Sequence, residues 1–131
     1  MIHSLDAETM TLEAPNVGRV QLYASGRPSS RPPALLIHTI NAAASAYEVK
    51  PTFEALAKDR LAFAIDLPGF GASERSDRRY TPRLMTDAVL LASDEIHRRT
   101  GSPCDLIGVS LGCEFVARAA KERPERSRRL A

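Results

Sequence analysis

A chain of 131 residues, 44% hydrophobic and 26% charged, has the composition of a single globular domain long enough to bury about two thirds of its extended surface. Its net charge of +2 creates no field suited to nucleic acid, and with 5% aromatic residues and no Trp it offers no platform for stacking bases. The opening MIHSLDAETM lacks the basic cluster and apolar run of a secretory signal, and no stretch reaches the roughly 18 apolar residues that span a bilayer, so a cytoplasmic protein without membrane partners is expected.

Residues 1–16 carry no assignment, and the domain is read as residues 17–131. VGRVQLYAS at 17–25 has the β-branched, alternating character of a strand, and GRPSSRPP at 26–33 is a loop because its glycine and prolines cannot continue a ladder. ALLIH at 34–38 is a short continuous apolar run, the mark of a strand buried on both faces. A helix is predicted over about 47–58, where Phe53, Leu56 and Ala57 recur at helical spacing and Pro51 falls near the first turn. RLAFAID at 60–66 is a second buried strand, followed by a turn at LPGFGAS.

Thr81 and Pro82 then open a helix as cap and first helical residue, striped by Leu84, Ala88, Leu91, Ala92 and Ile96 and closed by Gly101. CDLIGVS makes a third buried strand and 111–121 a third helix. Strands alternating with helices specify a doubly wound, mostly parallel sheet of the α/β class. The two thiols, Cys104 and Cys113, are too few for a disulfide framework or a four-cysteine zinc site, and they are read as free. No metal or cofactor is expected.

The chemistry-bearing stretch is GVSLG at 108–112. A serine at the carboxyl end of a parallel strand, on a sharp turn into a helix, projects above the sheet where open α/β folds bind ligands. The turn demands an unusual backbone at its apex and small residues two before and two after, which Gly108 and Gly112 supply around Ser110. The helix that follows aims its free amides and positive dipole end at the serine, favouring an anion formed there. G-x-S-x-G arises by chance in roughly one such chain in twenty-five, but a buried strand before it and a helix after it remove most chance matches.

With these motifs in order, GVSLG, DLPGFGAS at 66–73, LLIHTIN at 35–41 and the ending RPERSRRLA, the chain resembles the amino-terminal part of an α/β-hydrolase fold protein over about residues 17–131. The resemblance implies a serine hydrolase acting on an ester-like small molecule through an acyl-enzyme. Ser110 is then the nucleophile, and the backbone N–H of Leu111 is one donor of the oxyanion hole. The family's His-Gly-x pattern puts the second donor at the N–H of Ile40, with Thr39 in place of glycine; because a β-branched residue restricts the backbone more, Thr39 itself is the alternative. Asn41 serves the anion with its side-chain amide or caps the loop, and the capping role is the expected one. By the same pattern His38 shapes the oxyanion loop and is not the base.

His97 lies beside an apolar helix stripe and His3 in the unassigned terminus, so neither is read as the base. Asp66 is expected to accept hydrogen bonds from its own loop, Asp105 is too early in its strand, and Glu114 suits the dipole of the third helix. In this fold the acid and then the histidine follow the serine, yet the 21 residues after Ser110 contain no histidine. The triad acid and base are therefore expected outside this chain, the chain is expected to end before the sixth strand, and the exposed sheet edge is expected to drive self-association. A hydrolase-like binding or scaffold protein is the alternative, since fold does not fix function. Nucleotide binding is disfavoured because GFGASE has Glu74 where a third glycine belongs. The basic tail of Arg118, Lys121, Arg123, Arg126, Arg128 and Arg129 reads as a solvated helix end.

Overall fold

Every residue of the apolar runs at Ala34–Ile37 and Ala62–Asp66 is buried, because these runs form central strands covered on both faces. The computed structural model, which describes residues 2–131, contains β1 (Glu8–Ala14), β2 (Gly18–Ser25), β3 (Ala34–Ile37), β4 (Ala62–Asp66), β5 (Cys104–Gly108) and β6 (Ser127–Leu130). They form one sheet in the order β1-β2-β4-β3-β5-β6. The pairings of β1 with β2 and of β2 with β4 are antiparallel, and the remaining three are parallel.

Helices cover both faces: α1 (Lys50–Leu56), α2 (Pro82–Thr100) and α3 (Gly112–Glu122). Alternation along the strands divides the core accordingly. Leu35, Ile37, Phe63 and Ile65 point to the layer of α2 and α3, where Ala88, Ile96, Phe115 and Val116 meet them. Leu36 and Ala64 point to the other layer, against Val49 and Phe53. Each such leucine or isoleucine, fully buried, contributes about 1.5–3 kcal/mol.

The ends of α2 match their sequence signals. Thr81 Oγ1 accepts the N–H of Leu84 at 3.1 Å, Pro82 occupies the first turn, and Gly101 closes the helix at φ 72° with its N–H on the His97 carbonyl at 2.8 Å.

Three expectations change. The sheet does not end before a sixth strand: Ser127–Leu130 pairs in parallel with β5. SRRL has no apolar alternation and is almost wholly exposed, so only the open edge of β5 makes it a strand. Residues 1–16, left unassigned, contribute β1, and Leu5 is buried. The helix over 47–58 divides into a 3-10 turn at Ala46–Val49, capped by Ser45 Oγ accepting the Tyr47 N–H at 3.1 Å, and the short α1.

Candidate active site

The parallel pairing of β3 with β5 sets Ile37 opposite Gly108, so the loops leaving the two strands start side by side. They are tied there by the Val109 N–H, which donates to the Ile37 carbonyl at 3.0 Å. The chain then turns at Ser110, the only non-glycine residue with positive φ (52°) among those described, and enters α3 with Leu111 as its N-cap. A left-handed backbone at a non-glycine residue costs about 1–3 kcal/mol and persists only where its surroundings impose it.

The two glycines let strand and helix close in on either side of it. A Cβ on Gly108 would lie 2.7 Å from the Cys113 nitrogen, and one on Gly112 would lie 2.6 Å from the Ile37 carbonyl oxygen. Strand, elbow and helix start therefore interlock with no room for a side chain at either position. Ser110 is solvent-exposed at the apex.

On the neighbouring loop His38 is fully buried, with both ring nitrogens committed. Nε2 accepts the Leu67 N–H at 3.0 Å, which requires Nδ1 to carry the proton and donate it to the Thr39 carbonyl at 2.6 Å. Burial holds this imidazole below its ordinary pKa, and it stays neutral as a tie between the two loops. The Thr39 N–H donates to Glu48 Oε1 at 2.7 Å, so it is already satisfied, and the alternative that gave Thr39 the free donor is set aside. Asn41 Oδ1 accepts the Ala43 N–H at 3.0 Å, the loop cap expected of it. The backbone N–H groups of Ile40 and Leu111 have no acceptor among the described residues.

Asp66 braces both loops from beneath. Its carboxylate, fully buried, accepts the N–H of Ala46 at 2.8 Å, the N–H of Ala72 at 2.9 Å, the Tyr23 hydroxyl at 2.6 Å and the Ser4 hydroxyl at 2.8 Å. These donors replace the water that a buried carboxylate loses. Gly71 permits the loop to wrap it, since a Cβ there would sit 2.2 Å from the Asp66 carboxyl carbon.

Ile40 and Leu111 line one cleft of about 490 Å³, with Phe70, Met85 and Phe115 supplying apolar walls; Ser110 adjoins this cleft through Leu111 and is not part of its lining. A depression of about 600 Å³ bordered by Pro33, Pro103 and Thr100 lies at the other end, where β3 and β5 begin. The carboxyl ends of parallel strands are where open α/β sheets bind ligands, and the elbow is there.

The remaining titratable candidates are held elsewhere. His97 is in the last turn of α2, near the far depression, and His3 packs edge-on against Tyr23 at 6.1 Å between centroids. Asp105 pairs with Arg60 at 3.2 Å and Glu114 with Arg118 at 3.1 Å. Among the described residues no group of three His, Cys, Asp or Glu side chains could hold a metal, and no helix is long and apolar enough to cross a membrane.

Tyr23, Ser4 and Glu48 were missed from sequence. Glu48 did carry a signal, for Ser45-Ala46-Tyr47-Glu48 is a capping-box pattern. Its carboxylate reaches Thr39 instead of the cap residue, which only the fold of the loop decides.

A sequence profile described as the alpha/beta hydrolase family matches residues 34–130. None of the curated proteins matches the chain. Among solved structures, a hydrolase from Pseudomonas aeruginosa superposes with a TM-score of 0.79 at 21% identity, over 96% of this chain and 45% of that one. An epoxide hydrolase from Vigna radiata gives 0.78 at 20% identity, over 94% and 38%. A thioesterase domain from the curacin biosynthetic pathway gives 0.77 at 22% identity, over 96% and 45%. The chain spans less than half the length of these proteins, and likeness at such identities carries the fold alone.

Proposed function

The chain belongs to the alpha/beta hydrolase family, and on that premise we propose that it carries the nucleophile and oxyanion-stabilising half of a serine hydrolase acting on ester-like small molecules. The observation that carries this reading is Ser110, exposed in a left-handed backbone beside a cleft lined by two residues, Ile40 and Leu111, whose amides are unclaimed.

Ser110 Oγ attacks the carbonyl carbon and loses its proton to a base. The resulting oxyanion takes the N–H donors of Leu111 and Ile40, each contributing about 2.7–4 kcal/mol to the transition state, and the amino end of α3 adds its dipole. Collapse breaks the bond to the leaving oxygen, which receives the proton, and water then frees the acid from the acyl-enzyme. In this reading the triad acid and base lie outside the described residues, since His38 has no free nitrogen and His97 sits toward the far end of the sheet.

Exposure to a fluorophosphonate followed by peptide mass mapping is the direct test. A slow adduct on Ser110, absent from Ser110→Ala, is expected, while turnover of p-nitrophenyl acetate by these 131 residues stays near background, because loss of the base costs about a millionfold. Fast turnover lost in Ser110→Ala would place a base within the chain. Ester binding without any Ser110 adduct would favour a non-catalytic binding protein. Self-association through the free edge of β6, where Leu130 is exposed, belongs to the same reading and would appear as a concentration-dependent sedimentation coefficient.

A further inference from the structure

We propose that the cleft takes substrates bearing a carboxylate and that Arg75 is the residue that selects them; this rests on the placement of the site beside Ser110 and names the class of molecule it accepts. Two charged residues line the cleft, Arg75 and Glu114. Glu114 is neutralised by Arg118 at 3.1 Å. Arg75 is not neutralised. Its Nη2 donates to the Gly71 carbonyl at 2.9 Å, and among the described residues it has no carboxylate within ion-pair distance. The adjacent Glu74 is engaged with Arg19, at 3.4 Å.

Arg75 also stands on the wall shared with a second depression, of about 520 Å³, whose other border is Ala42–Ser45, the continuation of the loop that carries Ile40. Arg75, exposed on the surface, thus borders both hollows, and the only acidic side chain lining either of them is the paired Glu114. The hydrogen bond to Gly71 uses one of its five N–H donors and anchors the group, leaving the rest of the fork open to a bidentate carboxylate. A substrate lying with its apolar end on Phe70, Met85 and Phe115 and its carbonyl toward Leu111 and Ile40 would present an acidic tail to this cation. An Arg in that role is not replaceable by any neutral donor, because the selectivity comes from its charge and fork geometry together.

Titration of the isotope-labelled chain with monobenzyl succinate and with its neutral counterpart, benzyl methyl succinate, tests this without requiring turnover. The monoester is expected to bind about tenfold more tightly, with shifts at the amides of Ile40, Phe70 and Leu111 and with a preference that shrinks as salt is raised. Arg75→Gln should abolish the preference while leaving affinity for the diester unchanged, and Arg75→Lys should retain part of it. Equal affinities in the unaltered chain, a preference that survives Arg75→Gln, shifts confined to the depression around Arg99 and Arg128, or no binding of either ester would each overturn the proposal. A Ser110 adduct without the preference overturns this inference alone; the preference without an adduct overturns the serine reading alone.

Discussion

The carboxylate of Glu48 accepts the backbone N–H of Thr39 at 2.7 Å, and this bond pins the loop that presents the Ile40 amide. Glu48→Ala leaves that N–H without its charged acceptor, a loss of about 1–2 kcal/mol felt mainly by the loop. Hydrogen exchange at Thr39 should quicken by about tenfold, with a smaller shift in the global unfolding midpoint. Unchanged exchange at Thr39 would show that other contacts hold the loop.

Two glycines with different surroundings separate close packing from backbone preference. Gly112→Ala forces a methyl to within 2.6 Å of the Ile37 carbonyl oxygen, where backbone must move, and should cost about 2–4 kcal/mol in urea unfolding. At Gly101 a Cβ meets nothing within 4 Å, so Gly101→Ala carries only the penalty of φ 72°, about 1 kcal/mol. Equal costs for the two substitutions would refute the interlocked elbow.

Tyr23 donates to buried Asp66 at 2.6 Å, and burial, then the carboxylate, pushes its pKa up from 10.0 to about 12. Because the folded value lies above the unfolded one, its contribution to stability is whole below pH 10 and is lost as pH rises toward 12. Ultraviolet titration should show a phenolate step near pH 12 that is absent in Tyr23→Phe. The same variant leaves Asp66 one donor short and should lose about 2–3 kcal/mol at neutral pH.

His38 supplies the opposite dependence on acid. Burial lowers its pKa below the ordinary 6.5, outweighing the Thr39 carbonyl, so the unfolded chain binds its proton at higher pH than the folded chain does. Stability is therefore full above pH 6.5 and declines as pH falls below that value. Urea midpoints measured from about pH 7 down to about pH 5 should fall, and His38→Gln should flatten the slope by about one proton.

The strands and helices that carry the site were legible because their signals are local. Continuous burial at Ala34–Ile37 and Ala62–Asp66 needs only a short apolar run, and the limits of α2 need only Thr81, Pro82 and Gly101 in their places. β1 was missed although Met10, Leu12 and Ala14 alternate and pack on the core, because polar and charged residues between them weaken the pattern. β6 had no pattern to find, being a strand only by virtue of the edge it joins.

Residue order alone determined the alternating architecture and the glycine spacing around Ser110, since both follow from periodicity and turn chemistry. The loop-shaping part of His38 was implied by the family resemblance, and its neutral state came only from burial and the Leu67 N–H. Tertiary structure alone decided which amides stay free and which charge stays unpaired. Thr39 is silenced by a carboxylate nine residues away, Asp66 is braced by Tyr23 from 43 residues before it, and Arg75 has no carboxylate partner among the described residues while its neighbour Glu74 bonds to Arg19. Hydrogen bonds and ion pairs are settled by which groups the folded chain brings within about 3 Å, and that distance is set by the packing of whole strands and loops.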